Sequence, residues 1–193
     1  MNQDSADRRI ERSRRAILEA FRSLFFERGY GGVDVCEVAA RANVGRSTLY
    51  KHFRNKEDLL VQSLRPFLAL LTDACISDRQ PDGLSYIPEH FWEKRRFARA
   101  VFSGRSMSLI VATLAEAIEQ RLTVMPGAGP SLLPVRLVAA QLAASQMTLL
   151  DEWLRGRGAA TTAQITVALH RSSRALVREL MPYGSVDGFI REN

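Results

Sequence analysis

Lysine, cysteine and long apolar runs are scarce in this 193-residue sequence. Of its 27 basic residues, three are Lys and the rest are Arg. The two cysteines, Cys36 and Cys75, lack the spacing of a metal site or of a secreted disulfide framework, which favours a reducing compartment. No uninterrupted run of about 18 apolar residues is present, and the polar N-terminus has no apolar signal core. We therefore expect a cytoplasmic protein with no membrane partner.

The composition is otherwise that of an ordinary globular protein, with 46% apolar and 25% charged residues. This is enough for a hydrophobic core and too apolar for a disordered chain. The net charge is +6, and residues 1–65 contain 13 Lys or Arg against 9 Asp or Glu. A basic balance favours a polyanionic partner, but a surplus this small does not identify one without a motif.

Apolar residues recur with the helical period of 3.6 along almost the whole chain, and no alternating strand pattern is found. Asp34 and Thr161 are predicted N-caps, each with Glu or Gln three residues later, as in a capping box. Helices are predicted near 85–103 with a break at 93–96, and near 106–124, 131–156 and 161–180. Pro66 lies inside the predicted helix that opens at Asn55, and we expect it to kink or restart that helix.

The strongest local signal is the segment from Val33 to Asp58. A short helix is followed by Ala42-Asn43-Val44-Gly45 and then by a second short helix. Asn43 tolerates the left-handed conformation that ends a helix sharply, and Gly45 can cap the next helix. This is the pattern of a helix-turn-helix, whose second helix can enter the major groove of DNA.

The stretch from Ile17 to Leu60 resembles the DNA-binding domain of the TetR family of transcriptional repressors. The resemblance rests on Gly29-Tyr30, Ala42-Asn43-Val44 and the run from Thr48 to Leu60, which reads TLYKHFRNKEDLL. It covers about a third of the chain, and the remainder resembles the family more loosely. Val33, Asn43 and Gly45 depart from the Thr, Gly and Ser or Thr that the family usually has there.

We therefore predict an all-α fold of about nine helices, with an N-terminal three-helix helix-turn-helix domain and a larger C-terminal helical domain. The predicted boundaries are a flexible tail at 1–9, a DNA-binding domain at 10–65 with the motif at about 34–53, and an effector-binding and dimerisation domain at 66–193.

The short second helix of the motif supplies the predicted DNA contacts. Arg46 and Ser47 are candidates for base edges, since Arg can bridge O6 and N7 of guanine. Thr48 is a candidate for a base methyl or a phosphate. The remaining predicted contacts are to phosphate or sugar, from Tyr50, Lys51, His52 and Lys56. Leu49 and Phe53 are predicted core residues. The arginines of the first helix, Arg12, Arg14 and Arg15, are equally well explained as backbone contacts or as a solvated face.

The resemblance implies a homodimer formed by the last two long helices of each subunit. The predicted interface consists of Leu142, Ser145, Leu149, Leu169, Leu176 and Leu180, with the alternative that these helices pack within one monomer. A small apolar or amphipathic effector is expected to bind in the C-terminal domain. Its predicted pocket is lined by His90, Trp92, Phe97, Phe102, Met107, Met147 and Trp153, although such residues at helical spacing are also common in a core.

The three histidines have no partner pattern, and no phosphate-binding glycine loop, nucleophile elbow or Cys–His signature is present. We therefore predict no enzyme activity, no cofactor and no metal. The predicted function is a dimeric repressor that an effector releases from an inverted-repeat operator in double-stranded DNA. The alternatives are a non-sensing or protein-controlled DNA-binding regulator, and a helical enzyme or carrier.

Overall fold

The computed structural model describes residues 3–125 and 131–181, with side chains from residue 7 onward other than that of Phe97. The part of the chain described is helical and contains no strand. Nine helices are found within it: α1 Gln3–Arg28, α2 Val35–Arg41, α3 Arg46–His52, α4 Lys56–Ile76, α5 Tyr86–Glu93, α6 Arg95–Val101, α7 Gly104–Thr123, α8 Val135–Leu154 and α9 Thr162–Leu180. The all-α prediction is confirmed.

The chain divides into two compact units. The first unit comprises the chain up to Pro66 together with Arg95–Leu109, and the second comprises Phe67–Lys94 and the chain from Ile110 onward. The segment Arg95–Leu109 thus clusters with the N-terminal helices, whereas the sequence pattern assigned it to the second domain. Helix α1 also begins at Gln3, where the sequence suggested a flexible tail up to residue 9.

The helix ends follow local sequence signals. The Asp34 carboxylate accepts a hydrogen bond from the backbone N–H of Cys36, which holds the pKa of Asp34 below its usual value. Thr161 and Gln164 form the complete capping box that their spacing predicts. Glu37 does not complete a second box, because its carboxylate pairs with Arg28 of α1 instead.

Helix α4 continues through Pro66, so of the two predicted effects of this proline, a kink or a restart, the restart does not occur. The predicted start of α8 needs correction. Helix α8 begins at Val135 and not near 131, because the polar groups before it bond elsewhere: the backbone N–H of Leu132 and the hydroxyl of Ser131 both donate to the carbonyl of Leu180. The break predicted at 93–96 falls at Lys94, between α5 and α6.

The core of the first unit is built from α1, α2, α3 and α4. The largest fully buried side chains there are Ile17, Phe21, Leu24, Phe25, Leu49, Phe53, Leu59 and Leu60. Ion pairs of Arg28 with Glu37 and of Arg41 with Glu27 join α1 to α2 at the surface. The apolar faces of these four helices meet in this core. Helix α3 is therefore packed on one side and exposed to solvent on the other.

Among the described helices, α4 alone is long and apolar enough to cross a membrane. Half of its most apolar stretch is buried within the protein, and Arg65 and Asp73 lie in the helix. Its apolar residues are thus shared between the cores of the two units, with Leu59 and Leu60 buried in the first and Leu71 and Ala74 buried in the second.

Candidate nucleic-acid interface

The turn between α2 and α3 is set by one residue in the left-handed conformation. Asn43 has φ 53°, while its neighbour Ala42 remains in the right-handed helical region. The backbone N–H of Val44 donates to the carbonyl of Ala39 at 3.0 Å, which closes the end of α2. The carbonyl of Gly45 then accepts from the N–H groups of Thr48 and Leu49 and starts α3. The chain therefore turns from one helix into the next within three residues, as a helix-turn-helix requires.

Helix α3 has one buried anchor and a broad exposed face. Leu49 is fully buried, and Phe53, directly after the helix, is buried as well, so both predicted core positions are confirmed. Arg46, Ser47, Tyr50 and Lys51 are exposed, while Thr48 and His52 are half-buried. Tyr50 keeps 54% of its surface accessible. Six of the seven predicted DNA-contact residues thus lie together on one short helix.

Lys56, the seventh predicted contact, has a different position. Its ammonium group is half-buried and donates to the carbonyls of Tyr30 at 3.0 Å and Val33 at 3.1 Å. The same nitrogen lies 4.7 Å from the centre of the Tyr30 ring, a cation–π geometry. Two of its three donors are therefore occupied within the protein. Lys56 ties the first turn of α4 to the loop before α2, a role that the sequence pattern did not indicate.

The arginines of α1 are also distinguished by their contacts. Arg14 donates to the side chain of Gln62 on α4 at 2.7 Å and lies over the Phe53 ring at 5.9 Å. Arg12 and Arg15 are exposed. Arg14 is therefore a packing residue of the first unit, and Arg12 and Arg15 remain the candidates for DNA backbone contacts on this helix.

A groove of about 800 Å³ in the first unit was not indicated by the sequence. It is bounded by the loop after α1, the first turn of α4 and the start of α7. Arg105 pairs with Glu57 across it at 2.7 Å, and the hydroxyl of Tyr30 is buried beneath it without a hydrogen-bond partner. Arg105 and Glu57 are 48 residues apart, so no local pattern connects them.

The predicted effector-pocket residues are divided between the two units. Phe102 and Met107 lie in the first unit, whereas His90, Trp92, Met147 and Trp153 lie in the second, and the side chain of Phe97 is outside the described part of the chain. His90 packs among aromatic rings, 5.4 Å from Phe67 and 5.2 Å from Tyr86. Phe102 and Met147 are buried core residues.

The two tryptophans form a pair of their own. Their rings stack at 4.9 Å between centroids, and the indole N–H of Trp153 donates to the carbonyl of Ala160. Trp153 is buried, whereas 42% of the surface of Trp92 is exposed. This pair packs α5 against the end of α8.

The predicted dimer-interface residues divide into two groups. Leu142 and Leu169 are fully buried in the second unit, where they pack within the monomer. Ser145 is exposed, and Leu149, Leu176 and Leu180 are half-buried. The exposed side of α8 carries a stripe of small and apolar residues, Leu137, Ala140, Ala144 and Thr148.

Residues 17–62 match the family described as "Bacterial regulatory proteins, tetR family". Two uncharacterised helix-turn-helix transcriptional regulators of Bacillus subtilis are similar: YdeS is 38% identical over 65 residues (34% of this chain, 31% of that protein), and YxbF is 31% identical over 80 residues (41% and 21%). The transposon Tn10 TetC protein of Escherichia coli is 28% identical over 95 residues (47% and 48%). The chain thus spans less than half the length of these curated relatives.

Solved structures resemble the chain over most of its length. TylP, a TetR regulator of Streptomyces fradiae, has a TM-score of 0.57 at 19% identity and covers 92% of this chain and 83% of its own. A TetR-family regulator of Streptomyces coelicolor has a TM-score of 0.55 at 22% identity, with 86% and 95% covered. At these identities the likeness shows the fold.

The turn at Asn43, the buried anchor of α3 and its exposed polar face define a helix-turn-helix protein. In this N-terminal domain, residues 17–62 match the TetR family of bacterial regulatory proteins. The resemblance read from the sequence is therefore confirmed.

Proposed function

We propose that the protein is a DNA-binding transcriptional regulator that uses α3 as its recognition helix. The observation that carries the proposal is the arrangement of α3: Leu49 is buried beneath it, while Arg46, Ser47 and Lys51 are exposed on the same helix. A helix that packs against the core through one face and exposes polar and cationic side chains on the other can bind in the major groove. The first unit would bind DNA, with Arg46 and Ser47 at base edges and Tyr50, Lys51 and His52 at the backbone.

We propose further that the protein binds as a homodimer to an inverted repeat. One motif with a seven-residue recognition helix contacts few base pairs, so two copies related by a twofold axis would supply affinity. The exposed stripe of α8 supports this, since Leu137 keeps 54% of its surface accessible beside small residues that permit close helix approach. The two recognition helices would then lie about 34–36 Å apart.

The regulator is proposed to act in the cytoplasm as a repressor that a small apolar or amphipathic ligand releases. An effector does so only if its affinity differs between the DNA-binding and the released arrangement. Helix α4 supports such coupling, because one uninterrupted helix has buried residues in the cores of both units. We place the pivot near residues 62–66, where Pro66 lacks the backbone donor that would bond residue 62.

Selection of bound DNA from a random library tests the function. The full-length protein is expected to enrich a palindromic sequence, which reports both DNA binding and twofold symmetry. Enrichment of a single unrepeated half-site would contradict the dimeric mode, and failure to enrich any sequence would overturn the proposed function. The variant Leu49→Asp serves as a control, because it places a charge in the support of α3 and should abolish enrichment.

A regulator without a small-molecule ligand is the second candidate. It is favoured by the scatter of the predicted pocket residues over two units, with Phe102 and Met107 in the first and the tryptophans in the second. Operator binding that no compound in a metabolite library weakens, together with release by a protein partner, would support this candidate over effector release.

A further inference from the structure

A pocket of about 520 Å³ lies in the second unit, between the segment that follows α4 and one side of α9. Its polar lining is rich in cationic side chains and contains a single carboxylate: Asp78, Gln80, His170, Arg171, Arg174 and Arg178. Three guanidinium groups therefore face one carboxylate. None of these residues belongs to the proposed DNA interface or to the aromatic residues of the predicted effector pocket.

Arg174 forms the base of this pocket. Only 3% of its surface is exposed, so its charge is almost completely removed from water. One terminal nitrogen donates to the carbonyl of Cys75 at 3.0 Å, the other pairs with Asp78, and Nε is buried without a hydrogen-bond partner. Burying a guanidinium is costly unless its charge and donors are matched. The charge of Arg174 is only partly balanced, because the side chain of its partner Asp78 is 74% exposed to solvent.

Arg171 and Arg178 add like charges on the same side of α9. They lie three residues before and four residues after Arg174, which places all three on one stripe of the helix. Arg178 reaches the same carboxylate, with 3.9 Å between its terminal nitrogen and Asp78, and Arg171 is exposed. Like charges at this spacing repel one another, and the single acidic group is shared between two of them.

His170 sits at the edge of the pocket and is already engaged. Its Nε2 lies 2.9 Å from the carbonyl of Ser77, so this nitrogen donates to the backbone. The imidazole thereby links α9 to the segment that carries Asp78. This hydrogen bond holds the pocket wall in place without a bound ligand. The guanidinium groups remain as the donors available to a bound molecule.

We propose that this pocket binds a small oxyanion, the carboxylate or phosphate group of a low-molecular-weight ligand. The anion would sit between Arg171 and Arg178 above Arg174 and displace Asp78 from its bridging position. Guanidinium forks suit this chemistry, because they donate paired hydrogen bonds to planar or tetrahedral oxyanions. The concave shape and the presence of only three arginines favour a small ligand over a nucleic acid, which needs an extended basic surface.

Isothermal titration calorimetry of the full-length protein tests this, with sodium phosphate and sodium acetate as separate probes in a chloride background of constant ionic strength. Saturable binding is expected for at least one probe, and the preferred probe identifies the ligand group. Arg171→Gln is expected to weaken that binding about tenfold, since it removes one charge-assisted contact. Arg171 is exposed, so this variant should keep its helical circular dichroism. Arg174 is buried, so Arg174→Met would disturb the fold more and is the weaker test.

Two exposed arginines provide matched controls. Arg136→Gln changes a cation elsewhere in the second unit, and Arg46→Gln changes one on the proposed DNA-binding helix. Both are expected to leave anion binding unchanged. The proposal is overturned if neither probe binds saturably, if Arg171→Gln binds as tightly as the unaltered protein, or if Arg46→Gln reduces binding as much as Arg171→Gln does. The result is independent of the DNA-binding function, which the library selection tests separately.

Discussion

The ammonium nitrogen of Lys56 lies 3.1 Å from the carbonyl oxygen of Val33, so the first turn of α4 is bonded to the residue just before the cap of α2. The same nitrogen bonds Tyr30, and the loop between α1 and α2 is thereby held at two points. A lysine at this position therefore contributes to the placement of the helix-turn-helix itself.

Lys56→Met is expected to lower the free energy of unfolding by about 2 kcal/mol, because it leaves two carbonyls without their charged donor. Urea denaturation at pH 7.5 measures this. Lys51→Met is the matched control, since Lys51 is exposed on α3, and we expect a change within about 0.5 kcal/mol. Equal stability of the two variants would show that the contacts of Lys56 carry no net stabilisation.

Arg46 and Lys51 are expected to differ in what they contribute to DNA binding. Arg46→Ala should relax the base preference at one position in each half-site. Lys51→Ala should weaken binding evenly across sequences and reduce the slope of log K against log salt by about one unit. Library selection and titrations at several salt concentrations separate the two effects. An unchanged base preference in Arg46→Ala would remove this residue from base readout.

Asn43 is expected to be sensitive to β-branched substitution. With φ at 53°, Asn43→Val should cost about 1–2 kcal/mol, whereas Asn43→Gly should be near neutral because glycine has no Cβ to clash. Thermal unfolding of both variants provides the comparison. If Asn43→Val unfolds at the same temperature as Asn43→Gly, the turn does not depend on the left-handed conformation.

Cys75 should make stability depend on alkaline pH. Burial raises the pKa of its thiol from 9.0 to about 12 in the folded protein. The unfolded chain therefore loses this proton near pH 9 while the folded chain keeps it. Stability is unaffected below pH 9 and falls between pH 9 and 12, by up to about 1.4 kcal/mol per pH unit. Cys75→Ala should show a shallower decline in urea unfolding over this range, and identical slopes would contradict the assignment.

Pro66→Ala tests both the stability of α4 and the proposed pivot. Pro66 is exposed within a continuous helix, so alanine restores a backbone donor without disturbing the core, and a gain of up to about 3 kcal/mol is expected. If the pivot is correct, the concentration of effector needed to release DNA also shifts. A variant that is more stable but has an unchanged effector response would support the stability cost of Pro66 in α4 and contradict the proposed pivot.

The sequence predicted those features that depend on neighbouring residues. The Thr161 capping box, the left-handed Asn43 and the buried Leu49 follow from short-range rules, and all three are present. The contacts of Lys56 could not be predicted from short-range rules. Its ammonium group bonds the backbone carbonyls of Tyr30 and Val33, which are 26 and 23 residues away.

Long-range packing also limits what the sequence can predict about the interface and the pocket. Leu142 has the periodicity of an apolar helix face, but periodicity does not say whether a helix of the same chain or a second copy covers that face. Phe102 likewise has the character of a pocket residue, yet it is buried in the first unit with Arg95–Leu109. The cationic pocket on α9 required the fold to bring Asp78 beside Arg174.

The stacked pair of Trp92 and Trp153 has a practical consequence. These are the two tryptophans of the sequence, and both lie in the second unit. Intrinsic tryptophan emission therefore originates from that unit alone, and the close stacking of the rings should couple their electronic transitions. The native protein thus contains its own optical probe of the second unit, whereas events confined to the recognition helix need an introduced fluorophore.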